Sequence, residues 1–248
     1  MIDNTRFALA SLRAVAEYGD QGGIGTLGEK LLHKTLKFYF EPDATKHEIP
    51  FCGSVADILN EEGIIEIQTR AFNKLVPKLD RFLPKTHVTV VYPIVEKRTI
   101  CRLDPESGVV SKPRKSSKVG LASDALAEIS RIRAFIPHEN LEILIVLLDA
   151  DETRLQSGSL RVGRKKTQKI NISPTRLNSI IHLGEASDYL SLLPRDLPEQ
   201  FTAAEFEKIT RLRSIDSHGA LMLLLQLGIL HRERQGRDPY VYTLNEIS

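Results

Sequence analysis

Residues 53–68 read GSVADILNEEGIIEIQ, and this stretch decides the fold that we expect. Its two segments 54–59 and 64–69 are rich in branched apolar residues, as strands are, and the polar residues and glycine between them predict a turn. If the turn closes a symmetric antiparallel hairpin, Asp57 pairs with Glu66. Opposite side chains in such a pair have Cβ atoms about 5 Å apart, so the two carboxylates are expected to lie together.

Two carboxylates at this separation repel each other, so the pair needs either a shared proton or a cation. Gln68 lies two residues beyond Glu66 and therefore points to the same face of the strand. Carboxylate and amide oxygens are ligands that Mg²⁺ and Mn²⁺ prefer, which makes these three residues a candidate metal site. The hypothesis depends on the register, because a one-residue bulge would place Asp57 and Glu66 on opposite faces.

The sequence around this hairpin alternates between helical and strand-like patterns. This order predicts an α/β fold in which a mixed central sheet is flanked by helices. Residues 98–118 interrupt the order and are expected to form a hairpin or insertion. The predicted helices are 1–20, 26–40, 70–83 and 124–135, and the predicted strands are 46–51, 54–59, 64–69, 87–94 and 141–148.

The chain changes character beyond residue 150. Serine and proline at 173–174 look like the start of a helix, which we expect to continue to residue 181. The rest of the chain, 184–248, is interpreted as a second unit after a first domain of residues 1–183. Its predicted elements are short helices at 186–193, 202–212 and 217–227 and a hairpin at 229–232 and 240–244.

Residues 201–244 of that second unit resemble a winged helix. In that fold the helix predicted at 217–227 would enter the major groove of DNA. Here that helix offers few side chains that can read bases or hold phosphates. We therefore expect contacts through Arg211, Arg213 and the wing, or else a role in packing and protein interaction.

The hairpin and the helix before it resemble the PD-(D/E)xK, or restriction-endonuclease-like, nuclease superfamily over about residues 25–95. That motif places an aspartate on one strand, Glu-x-Lys on the next and often an acidic residue on the preceding helix. Here Asp57, Glu66 and Glu29 match these positions. The resemblance implies an endonuclease that hydrolyses DNA through a metal-bound water. Its catalytic residues would be Glu29, Asp57, Glu66 and Gln68, with Mg²⁺ or Mn²⁺ on the three carboxylates.

Two features leave alternatives open. Gln68 stands where the motif has lysine, and a neutral amide can orient water but supplies no charge. Glu29 also fits a capping box that begins at Thr26, in which it would only stabilise the helix start. The second hypothesis is therefore a nucleic-acid-binding or regulatory protein that keeps the nuclease fold without cleavage. The third is an α/β protein that binds a small molecule or acts as a scaffold.

The net charge of +2 says little about partners, but the basic residues are clustered. The segments 111–118 and 161–169 contain several basic residues and no acidic ones, as nucleic-acid-binding surfaces do. Basic residues also recur at helical spacing over 70–81. Solvated surfaces are the alternative in each case. The candidate nucleic-acid-binding residues are Arg70, Lys74, Lys78, Lys115, Lys165, Lys166, Arg211, Arg213 and Arg234.

The composition excludes several classes. We find neither a transmembrane segment nor a secretory signal, so no membrane association is expected. Cys52 and Cys101 are the only cysteines, too few for a disulfide framework or a zinc cluster, so a reducing cytoplasm is the expected location. DNA is the expected partner, and a homodimer is possible because many nucleases of this superfamily cut two strands as dimers.

Overall fold

A computed structural model describes residues 2–19, 27–104, 107–161, 164–234 and 236–245. Its main feature is a seven-stranded mixed sheet with the order β1-β2-β3-β4-β6-β7, in which β5 pairs with β4. The strands of this sheet are β1 (His47–Phe51), β2 (Ser54–Asn60), β3 (Gly63–Ile67), β4 (Val88–Leu103), β5 (Arg114–Lys115), β6 (Leu141–Arg161) and β7 (Arg164–Leu183). The helices are α1 (Asn4–Gly19), α2 (Leu27–Phe40), α3 (Val76–Phe82), α4 (Ala125–Ile129), α5 (Ala203–Thr210) and α6 (Ser214–Gln226).

The strand directions follow from the connections. Short turns join β1, β2 and β3 into an antiparallel meander. The connection through α3 then brings β4 parallel to β3, and the connection through α4 brings β6 parallel to β4. The last strand, β7, returns antiparallel to β6. The predicted class, α/β with a mixed sheet and flanking helices, is confirmed.

The predicted register of the central hairpin is confirmed where the strands pair. Ile58 lies opposite Ile65, and the pairing continues to Asn60 and Gly63 at the turn. Gly63 has φ of +122°, which side chains rarely tolerate, and it lies tightly against the backbone of His87. The turn thus holds β3 against the start of β4.

Long-range pairing extends the later strands well beyond their predicted ends. β4 continues to Leu103 and then folds back through β5, so the hairpin expected in 98–118 is confirmed. The helix predicted over 173–181 is wrong, because these residues belong to β7. Pro174 is tolerated there because β7 is an edge strand and its pairing with β6 shifts register at this point. Pairing with β6 thus outweighs the local signal for a helix start.

The helices cover the sheet on both faces. Leu32 and Leu36 of α2 share one buried apolar cluster with Ile67 of β3 and with residues of α1. Leu79 of α3 shares the other buried cluster with Ile64 and with residues of α4. Because Ile64 and Ile67 point to opposite faces of β3, α2 and α3 lie on opposite sides of the sheet.

The predicted helical segment 70–83 is broken. A 3-10 turn spans Phe72–Lys74, and α3 begins at Val76 with Pro77 in its first turn, where proline fits a helix. In the described residues, no helix is both long and apolar enough to cross a membrane.

The C-terminal segment contains α5, α6 and a small antiparallel sheet of β8 (Gln200–Thr202), β9 (Leu230–Glu233) and β10 (Val241–Leu244). Thr202 caps α5, since its hydroxyl accepts from the N–H of Glu205. Phe206 and Leu221 belong to the same buried cluster as α3 and α4. The apolar core therefore continues across residue 184.

Candidate functional site

Asp57 and Glu66 lie at the point where β2 and β3 part. Counted from the turn, the last paired residues are Ile58 and Ile65, which are the direct neighbours of Asp57 and Glu66 in the sequence. Beyond it, the N–H of Asp57 donates to Glu66 Oε1 at 3.2 Å, and the N–H of Ile67 donates to Asp57 Oδ2 at 2.8 Å. Each carboxylate therefore accepts a backbone hydrogen bond across the gap between the two strands.

Asp57 is held by side chains of α2. His33 Nε2 lies 3.1 Å from Oδ2, and Lys37 Nζ lies 3.6 Å from Oδ1. Burial alone would raise the pKa of Asp57. The hydrogen bond and charge of His33, the N–H of Ile67 and the charge of Lys37 outweigh burial and hold this pKa below its usual value. Asp57 is therefore the ionised member of the pair.

Glu66 is almost completely buried, with its side chain 2% exposed. Lys78 of α3 donates to Oε2 at 2.6 Å. Burial and the nearby Asp57 carboxylate nonetheless raise the pKa of Glu66 to about 7. Below neutral pH the pair thus carries about one negative charge and one proton, which is the arrangement expected of two close carboxylates.

The site is supported from both sides of the sheet. Lys37 and His33 come from α2, whereas Lys78 comes from α3 on the opposite side. Lys37 is itself buried and also pairs with the more exposed Glu48 on β1. The repulsion that the sequence predicts between the carboxylates is thus offset by lysines as well as by a proton.

Gln68 turns away from this arrangement. Its side-chain amide donates to the carbonyl of Arg70 and, at 3.5 Å, to that of Ala71. Ala71 has φ of +58°, so the amide supports a tight loop after β3. The backbone N–H of Gln68 donates to the carbonyl of Val91 on β4 at 2.9 Å. The observed contacts of Gln68 are therefore with the loop and β4.

No role was predicted for Lys37 or His33, and Lys78 was predicted to bind nucleic acid. The sequence contains a pattern that could have indicated these roles. His33 and Lys37 follow Glu29 at intervals of four residues, so all three share one face of the helix. Glu29 lies on α2, and its side chain lies outside the described residues. Lys78 pairs with Glu66, while Arg81 donates to the carbonyl of Gly53.

A cleft opens beyond the end of β3, and we call it the basic cleft because three basic residues and one acidic residue, Asp124, line it. It has a volume of about 360 Å³, and Arg70, Arg98 and Lys118 lie among its lining residues. Thr69, three residues after Glu66, lines its near end. Gly120 lines the cleft as well, and a Cβ there would lie 2.5 Å from the carbonyl oxygen of Val95. The cleft thus begins three residues after Glu66 and runs along β4 from Tyr92 to Arg98.

The remaining predicted nucleic-acid-binding residues are spread over the molecule. Lys74 and Lys115 are exposed, in the 3-10 turn after β3 and in β5. Arg211 follows α5 and is exposed, whereas Arg213 pairs with Asp216 at 2.7 Å. Arg234 stacks on Tyr240 in the β9–β10 hairpin. The side chains of Lys165 and Lys166 lie outside the described residues.

No cluster of three or more His, Cys, Asp or Glu suited to a metal occurs among the described side chains. The carboxylate oxygens of Asp57 and Glu66 are nevertheless donors of the kind that a hard divalent cation binds. Glu66 Oε2 already accepts from one ammonium group and Asp57 Oδ1 faces another, so both oxygens attract positive charge. Mg²⁺ is often held by one or two carboxylates and keeps several waters.

The comparisons with known proteins give a family. Residues 30–184, which include Asp57, Glu66 and the side chains that contact them but not Glu29, match the family described as "Domain of unknown function (DUF8091)". The chain belongs to this family. A protein of Treponema pallidum (strain Nichols), described as "Uncharacterized protein", is 34% identical over 182 residues, which cover 72% of this chain and 71% of that protein. No solved structure matches the chain.

Proposed function

We propose that this protein is a divalent-metal-dependent nuclease that hydrolyses phosphodiester bonds of DNA. One observation carries the proposal. The carboxylates of Asp57 and Glu66 meet where two strands part. Arg70, four residues after Glu66, lines a cleft together with Arg98 and Lys118. Acidic residues that attract a cation, next to basic residues that attract a phosphate, are what metal-assisted phosphodiester hydrolysis requires.

The connectivity supports a restriction-endonuclease-like fold. Helix α2 is followed by the meander β1–β2–β3, and α3 leads to β4, parallel to β3. This order agrees with the resemblance of residues 25–95 to the PD-(D/E)xK superfamily. Asp57 and Glu66 occupy the second and third strands, as that motif requires.

In the proposed reaction, Asp57 and Glu66 would hold Mg²⁺ or Mn²⁺, and Glu29 of α2 would be an auxiliary ligand. The ion would neutralise charge on the scissile phosphate and make water more acidic. Ionisation of Glu66 near neutral pH prepares the site for the cation, since a pKa of about 7 leaves both protonation states populated. His33 and Lys37 orient Asp57 through the contacts described above.

Lys78 is the residue that we assign to the cationic role left open by Gln68. Its Nζ lies 2.6 Å from Glu66 Oε2, on the α3 side of the site. An ammonium group there can donate to a phosphate oxygen or orient water, which a neutral amide does less effectively. Gln68 then serves the loop that shapes the entrance of the cleft.

The test is cleavage of plasmid, single-stranded and branched DNA, and of RNA, in Mg²⁺, Mn²⁺ or EDTA. Asp57→Asn and Glu66→Gln should abolish metal-dependent cleavage of DNA while the circular dichroism spectrum is kept. Asp80→Asn is the matched control, because Asp80 is an exposed carboxylate on α3. The proposal fails if the wild-type protein cuts none of these substrates, or if the Asp57 and Glu66 variants cut as it does.

A second candidate is a nucleic-acid-binding or regulatory protein that does not cleave. The observation that favours it is that Lys37 and Lys78 already neutralise much of the carboxylate charge, and Gln68 contacts the loop instead. This candidate predicts that DNA binds equally well with and without Mg²⁺ and stays intact.

Three further assignments belong to the proposal. The segment with α5, α6 and the β9–β10 hairpin acts as a winged-helix-like module that contacts DNA through Arg211, Arg213 and Arg234. The protein works in a reducing cytoplasm, in keeping with two free cysteines in the described chain. A homodimer would provide two sites for cutting both strands of a duplex.

A further inference from the structure

A second concave surface lies farther along β4, beyond the cleft. This surface, which we call the β-arm groove, has a volume of about 610 Å³. It is bounded by β4, by β6 and by the segment that contains β5. Its lining residues are Ile100, Arg102, Ser111, Lys112, Arg114, Lys115, Ser116, Ser117 and Arg154.

Five of these residues are basic, and no acidic residue lines the groove. Arg154 pairs with the buried Glu152 at 2.5 Å. The other four cations form no ion pair within the described part of the chain. Among the described side chains, these four cations therefore carry positive charge that no carboxylate pairs with. These four residues are Arg102, Lys112, Arg114 and Lys115.

The register of the sheet makes this charge costly. Arg102 of β4 lies directly beside Arg154 of β6, so two guanidinium groups occupy the same face at neighbouring positions. Like charges at such positions destabilise a sheet. On β5, Arg114 and Lys115 pair with Ile100 and Thr99, which adds further positive charge at the same edge. An anion held between these side chains would remove the repulsion.

The groove continues the basic cleft. Arg98 lines the cleft, and Ile100 and Arg102 line the groove, so alternate residues of β4 present one continuous face. Ser117 of the groove is followed directly by Lys118 of the cleft. The rise of a strand separates Arg98 from Arg102 by about 13 Å, which corresponds to about four base-pair steps of B-form DNA.

We propose that the β-arm groove binds the phosphate backbone of a nucleic-acid duplex and leads it to the carboxylate site. This inference deepens the proposed function and rests on it for the choice of a nucleic acid as ligand. The groove offers guanidinium, ammonium and hydroxyl donors, which are the groups that contact phosphates without reading sequence. It contains no aromatic side chain on which the bases of a single strand would stack. Duplex DNA is therefore the preferred form.

The test is binding of a fluorescein-labelled 30-base-pair DNA duplex in EDTA, followed by anisotropy between 50 and 200 mM salt. The double variant Arg102→Gln/Lys115→Gln should bind about tenfold more weakly, and the slope of log K against log salt should become shallower by about 2. The control is Lys85→Gln/Arg195→Gln, which removes one exposed lysine and one exposed arginine that do not line the groove. It should bind as the wild type does.

An equal loss of affinity in the control variant or an unchanged salt slope in the groove variant would overturn the inference. Tighter binding of the single strand than of the duplex would also overturn it. Binding to phosphatidylserine vesicles with no duplex binding would overturn it as well, in favour of a lipid surface. Thermal unfolding of both double variants shows whether the fold is kept.

The two proposals can fail separately. Because the assay contains EDTA, groove binding is measured without cleavage. A wild-type protein that binds duplex through Arg102 and Lys115 but never cuts would contradict the nuclease and support the groove. Metal-dependent cutting that is unaffected by the groove variant, with unchanged duplex affinity, would contradict the groove alone.

Discussion

Asp57 and Glu66 each accept a hydrogen bond from the backbone of the other's strand. Glu66 Oε1 accepts from the N–H of Asp57, and Asp57 Oδ2 accepts from the N–H next to Glu66, that of Ile67. The carboxylates thus replace the ladder at the point where the strands part. This exchange holds two acidic groups together, and the lysines of α2 and α3 stabilise them from either side.

The first prediction concerns pH and stability. Glu66 has a raised pKa of about 7 in the folded protein, against an ordinary value of 4.5. Between these values the folded state binds more protons than the unfolded state, so its stability falls as pH rises. The contribution is about 3 kcal/mol over this window. We expect the free energy of unfolding, measured with urea from pH 4.5 to 8, to fall by correspondingly less in Glu66→Gln than in the wild type.

Glu62→Gln is the matched control, because Glu62 is exposed in the same hairpin. It should keep the pH dependence of the wild type. Parallel pH profiles for the wild type and Glu66→Gln would mean that Glu66 titrates normally.

The second prediction concerns the buried cation at the site. Lys37 is 5% exposed and lies near both Asp57 and Glu48. Lys37→Met would leave Asp57 buried without this charge, and we expect a loss of about 3 kcal/mol in the free energy of unfolding. Combining it with Asp57→Asn should recover part of that loss, because the interacting partner is then absent.

Chemical denaturation of the two single variants and the double variant measures this coupling. Lys85→Met serves as the control, since Lys85 is exposed. Strictly additive losses would show that Lys37 acts on stability through Glu48 or packing alone.

The third prediction concerns the turn that sets the register. Gly63 combines φ of +122° with close contact to the backbone of His87. Gly63→Ala should therefore lower the free energy of unfolding by about 2–4 kcal/mol, through strain and displacement of β3. Gly184→Ala should change it by less than about 0.5 kcal/mol, since a Cβ there meets only Asp188 at 3.9 Å. Equal thermal unfolding midpoints for the two variants would contradict this account.

The fourth prediction separates Lys78 from Gln68 in the proposed reaction. Lys78 contacts Glu66, whereas Gln68 contacts the loop after β3. Lys78→Met should lower the rate of DNA cleavage about 100-fold or more, because a charged donor at the site is lost. Gln68→Ala should change that rate by only a few-fold. Single-turnover assays at saturating protein measure both variants, and the reverse ranking would return the role to Gln68.

The hairpin at 53–68 could be predicted from the sequence because its determinants are local. A glycine turn and the alternation of side chains set the register, and this register places Asp57 beside Glu66 without reference to the rest of the chain. The α/β class was readable for the same reason, since helices and strands follow one another with distinct periodicities.

The residues that complete the site were decided by tertiary structure. Lys78 reaches Glu66 only because the crossover through α3 returns over the sheet, and Lys37 reaches Asp57 only because α2 packs on the other face. The same holds for β7, where pairing with β6 overrides a local helix signal, and for the β-arm groove, where Arg102 and Arg154 are distant in sequence. The periodicity of the sequence predicts the face of an element on which a side chain lies. The residues that pack opposite that face are determined only when the sheet and helices have folded together.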